Sequence, residues 1–250
     1  MFRTAEPYKI STQNGLQNQI LAALPREEYE RLTTHLQLVS LIQGQSLYSL
    51  SEPIEYVYFP NHGVISLVLT LADGSMGEVG LVGREGMVGL PVIWGNLPPT
   101  SQAQVQLPGD AFRLKASVLR AEFGRGTALQ GLLLRYTKAL FTQISQSVVC
   151  NAKHTIEERL ARWLLMSRDR VQSDEFPLTQ EFISYMLGVR RAGVTVAAGS
   201  LQRAGIIRYS RGKIAIQDRE SLEAVSCECY RTIKTEFEQL FEAMEADSPL

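Results

Sequence analysis

The hydrophobic pattern of this chain changes its period near residue 127, and that change constrains the fold more than any other feature. Between residues 36 and 115 the apolar residues come in short runs cut by glycine, proline and acidic turns. Tyr56-Val57-Tyr58-Phe59 is rich in β-formers, Pro60-Asn61-His62-Gly63 reads as a turn, and Val64 to Leu69 resumes a strand. Asp73-Gly74 marks a hairpin break before Met76 to Leu81. This spacing predicts an antiparallel barrel or sandwich rather than alternating βαβ units.

Beyond Thr127 apolar residues recur every three or four positions: Leu129, Leu133, Tyr136, Leu140 and Ile144, with Leu132, Phe141 and Val148 widening the stripe. A helix over residues 127–151 would be about 37 Å long. That exceeds what a lid on a small barrel needs, so the first five residues are expected to form a dimerisation stripe; packing inside the chain would use the same pattern. A second helix follows from Thr155, where Thr155 and Glu158 have the spacing of a capping box. Residues 169–177 are polar and read as a loop.

Leu178 to Leu187 has helical order with Thr179 as its cap, Gly188 breaks it, and a second helix is expected from about Arg190 to Arg203. Ile206-Ile207 then turns to strand character, and Arg208 to Lys213 fits a tight basic hairpin before Ile214-Ala215-Ile216. The order helix, turn, helix, hairpin is a winged helix-turn-helix. Net charge is uninformative, with 25 basic against 26 acidic residues, but residues 186–213 hold six basic side chains and no acidic one. Such a local field draws in a duplex. Arg190, Arg191 and Thr195 are placed to address base edges or phosphates, Val194 to face the core, and Arg208, Arg211 and Lys213 to contact phosphates from the wing, with Thr179 beside them.

Three cysteines, Cys150, Cys227 and Cys229, cannot staple a secreted scaffold. The first residues show no secretory signal, and no run of 18 apolar residues occurs, so a cytoplasmic protein without a transmembrane segment is expected. The expected class is α+β, with residues 1–126 as a β-rich domain preceded by helices, 127–151 as the long helix, and 152–250 as the winged unit with a helical extension.

Four segments, taken in order, resemble the Crp/Fnr family of bacterial transcription regulators: Tyr56 to Pro60 with Gly63 to Ser66; Val79-Gly80-Leu81-Val82-Gly83-Arg84-Glu85-Gly86-Met87-Val88-Gly89; the helix after Thr127; and Leu178 to Ile216 followed by Asp218-Arg219. The resemblance implies a cyclic-nucleotide-binding-like β-roll, a long dimerisation helix, and a winged domain whose recognition helices enter successive major grooves of double-stranded DNA as a homodimer. It further implies contact with RNA polymerase and leaves room for an unidentified small effector.

The chain departs from the family in two places. Where cyclic-AMP-binding relatives carry a Gly-Glu pair and then an Arg-Ser pair, this sequence has Gly89-Leu90 and then Pro98-Pro99-Thr100-Ser101, with no arginine between Arg84 and Arg113. Neither the carboxylate nor the charged fork is present, so the familiar cyclic-AMP cassette is not expected. Leu90 and Trp94, with Thr100 and Ser101, fit an apolar effector pocket, or more simply a solid core. In the recognition helix, many relatives have Arg-Glu-x-x-x-Arg; Arg191 matches the first arginine, but Ala192 and Val196 replace the other two. A different operator is implied.

No catalytic site is expected: Gly83-Arg84-Glu85-Gly86 lacks the phosphate-loop pattern, and no triad or carboxylate pair is identifiable. Cys227-Glu228-Cys229 has no histidine near it in sequence, and His35, His62 and His154 read as ordinary turn, packing or surface residues, so no metal or other cofactor is expected. The rival to a DNA-binding regulator is a β-roll ligand-binding or protein-interaction module without productive DNA recognition.

Overall fold

A computed structural model describes residues 17–246; the amino-terminal stretch in which no secretory signal was read lies largely outside them. Two short helices open the described chain, α1 (Gln19–Ala22) and α2 (Arg26–Thr33). Asn18 caps α1 and is fully buried, donating from Nδ2 to the carbonyls of Pro60 and Gly86 at 2.9 Å, which docks this entry onto the sheet behind it. The sheet comprises β1 (Gln37–Leu41), β2 (Ser46–Tyr48), β3 (Tyr56–Thr70), β4 (Met76–Val82) and β5 (Gln102–Lys115), antiparallel in the order β1-β5-β3-β4 with β2 also on β5. Its inward residues, among them Val57, Phe59, Ile65, Val82, Val105 and Leu114, form the roll's core.

One expected turn is absent. The chain runs through Pro60-Asn61-His62-Gly63 as part of β3, with register slips against β5 on either side of His62 and at Val64. Asp110 of β5 holds the bulged residues, accepting from Asn61 Nδ2 at 2.9 Å and pairing with His62 Nδ1 at 2.6 Å. Polar, turn-forming side chains here satisfy a bulge instead of reversing the chain. The Asp73-Gly74 reversal does form, with Gly74 at φ +83° and Asp73 accepting from the Ser75 amide.

After β5 come α3 (Ala116–Phe123), α4 (Ala128–Lys153) and α5 (Ile156–Val171). The carboxylate of Glu28 on α2 caps α4, accepting from the amides of Ala128 and Leu129 at 3.0 Å. The Thr155–Glu158 capping box starts α5. The winged unit comprises β6 (Glu175–Pro177), α6 (Gln180–Leu187), α7 (Arg191–Arg203), β7 (Ile207–Ser210) and β8 (Lys213–Ile216), followed by α8 (Arg219–Val225) and α9 (Cys229–Ala246). Its sheet has the order β6-β8-β7, so part of the polar stretch read as a loop is an edge strand. Phe176 is its one buried residue, too little for a sequence pattern to register.

The expected dimerisation stripe needs correction. Leu129, Leu133, Tyr136 and Leu140 are buried within the single chain and Ile144 is half-buried, because α9 folds back along α4 and β4 packs beside it. The Tyr136 and Phe237 rings lie 6.4 Å apart, and Lys138 pairs with Glu236 at 2.7 Å. What α4 leaves uncovered is another face: Leu134, Phe141 and Val148, exposed by 52%, 70% and 65%.

Candidate nucleic-acid interface

Thr179 Oγ1 accepts from the Phe182 amide at 3.1 Å and so fixes the start of α6, while Gly188, at φ +61°, ends it and turns the chain into α7. Val194, Ala197, Ala198 and Leu201 bury one face of α7. Gly193 permits the close approach to α5, since a Cβ there would lie 2.7 Å from Ile156 Cδ1. The opposite face carries Arg191, Ala192, Thr195, Val196, Gln202 and Arg203, all exposed.

Arg190 is the N-cap of α7 and Arg191 its first residue, and no side chain caps the helix. First-turn amides and two guanidinium groups therefore face outward together, the arrangement that takes a phosphate or a guanine edge. The Thr195 hydroxyl is engaged within the chain, 2.8 Å from Gln180 Oε1 and 3.1 Å from Arg191 O, and its methyl is left for the outward face. Val196, exposed by 71%, belongs to the same surface. The sequence reading missed it because an apolar residue there registers as a lost arginine, although a bare methyl pair on a recognition helix suits a thymine methyl.

The wing stands beside this helix. The amide of Leu178 donates to Gly212 O at 2.8 Å, and the Tyr209 hydroxyl donates to Leu178 O at 3.2 Å, so the hairpin tip is tied to the start of α6 and to Thr179. Arg211 and Gly212 make the turn with φ of +50° and +76°. Arg208, Arg211 and Lys213 are exposed around a shallow concavity that also contains Glu175. Lys213 lies 3.9 Å from Glu175, an acid contributed by β6 that the acid-free run could not reveal. Among the described residues Arg190, Arg191, Arg203, Arg208 and Arg211 form no ion pair, leaving their charge available.

The residues proposed for an effector pocket do not converge. Leu90 is buried in the roll, whereas Trp94, four residues on, is 67% exposed. The cause is a short 3₁₀ helix, Leu90–Trp94, launched by Gly89 at φ +99°, which turns the two side chains in different directions. Thr100 is exposed and Ser101 is half-buried beside the Tyr48 hydroxyl. The cysteines do converge: Cys150 and His154 at the end of α4 meet Cys227 and Cys229 before and at the start of α9, so a histidine distant in sequence from the pair lies beside it in the fold.

β-roll and winged unit are joined by buried polar contacts. Arg170 of α5 pairs with Glu85 at 2.8 Å and donates to Gln143 Oε1 at 3.0 Å. Trp163 Nε1 donates to Glu78 Oε1 at 2.9 Å and Ser66 to Glu78 Oε2 at 2.7 Å; burial nevertheless pushes the Glu78 carboxyl up to about 7. No helix among the described residues is long and apolar enough to cross a membrane.

Residues 158–225 match the Crp-like helix-turn-helix domain. The chain is 24% identical over 198 residues to a CRP-like cAMP-activated global transcriptional regulator of Mycobacterium tuberculosis, covering 76% of this chain and 88% of that protein. Its fold is similar to a Crp/Fnr-family transcriptional regulator of Thermus thermophilus (TM-score 0.60, 18% identity, 76% of this chain and 98% of the other). It is also similar to the c-di-GMP responsive global regulator CLP of Xanthomonas campestris (TM-score 0.61, 12% identity, 77% and 99%). Residues 158–225 thus form a Crp-like helix-turn-helix domain, carried behind a β-roll and a long helix in a chain similar to Crp/Fnr-family transcription regulators.

Proposed function

We propose that this regulator binds a specific duplex operator as a homodimer, in the cytoplasm, and does so without the cyclic-AMP cassette of its nucleotide-activated relatives. The observation that carries the reading is the outward surface of α7 and the wing, where Arg190, Arg191, Arg208 and Arg211 are exposed and have no ion-pair partner among the described residues. Arg191 is assigned to a base edge, Arg190 to a base or phosphate, the methyls of Thr195 and Val196 to thymine, and Arg208, Arg211 and Lys213 to phosphates. Two copies are needed because one short helix reads few base pairs.

The dimer is assigned to Leu134, Phe141 and Val148, which recur at intervals of seven and form a seam along the open side of α4. Leu90 supports the absence of the cassette: it stands where those relatives carry the carboxylate, and it is packed into the core.

Selection from random duplexes, followed by titration at several salt concentrations, tests the function. Arg191→Ala is expected to cost about 1–3 kcal/mol on the selected operator and to relax preference at one position in each half-site, whereas Arg211→Ala should weaken all duplexes alike and lower the salt slope by about one. A folded dimer that no duplex retains even at low salt overturns the reading.

A further inference from the structure

Four side chains far apart in sequence close on one point at the junction of α4, α5 and α9. Cys150 lies in the last turn of α4, and His154 is that helix's C-cap, one turn further on. Cys227 and Cys229 flank Glu228 where α8 passes into α9. Their ligand atoms all lie within 4.8 Å of one another. Cys150 Sγ is 3.5 Å from Cys227 Sγ, and Cys229 Sγ is 3.7 Å from His154 Nδ1. A tetrahedral zinc ion, with Zn–S of about 2.3 Å and Zn–N of about 2.0–2.1 Å, sets its ligands about 3.8 Å apart for two sulfurs and about 3.6 Å for sulfur and nitrogen.

We propose that Cys150, His154, Cys227 and Cys229 form a closed mononuclear zinc site that pins the α4–α5 elbow to the start of α9.

The surroundings supply what such a site needs. All three cysteines are buried, in a cluster separate from the main hydrophobic core. Glu228 Oε2 lies 3.4 Å from His154 Nε2, so the ring can offer Nδ1 to the metal while its Nε2–H faces the carboxylate as acceptor. Charge is complementary as well. Arg159 and Arg162 are buried beside the cluster without an ion pair among the described residues, and the Nε atom of each lacks a hydrogen-bond partner. Three thiolates and a neutral imidazole around a divalent ion carry one net negative charge, which offsets one of the two buried guanidinium charges. The three thiols release their protons to solvent on binding.

Donor type and spacing select the ion. Soft thiolates with one imidazole favour zinc over magnesium or calcium, and four protein ligands leave no open position for catalysis. An iron–sulfur cluster would hold its ligands around a polynuclear core, wider than this group. Because the site joins the end of α4 to both α5 and α9, it fixes the angle at which the winged unit leaves the long helix.

The test uses the full-length chain purified without oxygen in a phosphine reductant, with metal measured by plasma mass spectrometry. One zinc per chain is expected. Cobalt(II) replacing it should saturate at one equivalent, with intense tetrahedral visible bands and thiolate-to-cobalt charge transfer. His154→Ala and Cys229→Ser should abolish the stoichiometric metal, and Glu228→Gln, which removes only the partner of the histidine, should weaken zinc about 10-fold. A folded wild-type chain that takes up no zinc when supplied with it, or that carries a Cys150–Cys227 disulfide by intact mass under these conditions, overturns the proposal. Unchanged cobalt bands in Cys150→Ser and Cys227→Ser would do the same.

Discussion

Gly86 shows how a single residue in a recognisable segment can be structural. A Cβ at this position would lie 2.5–2.8 Å from the Tyr136 ring and hydroxyl. The ring cannot yield, since it is fully buried and donates to Met87 O at 3.0 Å. Gly86→Ala should therefore cost about 1–3 kcal/mol in urea unfolding, as overpacking does; an unchanged midpoint would refute the packing argument. Glu78 makes a second case, in which the sign follows from its raised carboxyl. The folded chain holds this proton more tightly than the unfolded one, so the contribution is fully present below about 4.5 and is lost as pH rises through about 7. Glu78→Gln removes that loss. Wild type and variant should unfold alike near pH 5, and the variant should be more stable by about 2 kcal/mol near pH 8. Parallel curves across that range would show that Glu78 is not strained by its enclosure. None of this is legible in the sequence, where Glu78 is one acid in a strand and Gly86 one glycine of a loop.

At the scale of elements, periodicity and caps carried the reading well. Thr179, Gly188 and the Thr155–Glu158 pair mark helix ends by local chemistry, which needs no partner from elsewhere. The bulge at His62 and the short strand β6 escaped because each is fixed by a distant neighbour, Asp110 in one case and β8 in the other. The wing adds an observation that sequence cannot provide. Arg211 occupies the left-handed region at φ +50°, where a non-glycine side chain costs roughly 1 kcal/mol. Asparagine tolerates that conformation better. If arginine is kept there for phosphate, Arg211→Asn should raise unfolding stability by about 0.5–1 kcal/mol while weakening DNA binding. Both effects are measured on one preparation, and a variant that gains stability without losing affinity would remove Arg211 from the interface.

For the whole molecule, the order of parts could be read but the contacts between them could not. The stripe on α4 was visible, yet its period does not say whether another chain or this one covers it; Leu129, Leu133, Tyr136 and Leu140 are buried within the chain, Tyr136 beside Phe237 of α9 and Leu140 beside Gly80 of β4. The cysteine and histidine cluster was hidden for the same reason, its members meeting only when the tail returns to α4. What remains open on α4 is the seam of Leu134, Phe141 and Val148, with the half-buried Ile144 three residues beyond Phe141. Phe141 lies at its centre and is largely exposed, so Phe141→Glu should leave the fold intact and, in the proposed homodimer, bring two carboxylates together across the axis. Sedimentation should then show monomer at concentrations where wild type is dimeric. Two half-sites held together act at high effective concentration, so the variant should lose about 10²–10⁴ in affinity for a two-half-site operator. On a single half-site it should match wild type, because α7 and the wing are untouched. Phe141→Leu keeps an apolar knob and should keep both properties. A Phe141→Glu chain that remains dimeric and binds the full operator as wild type does would move the interface off this face of α4.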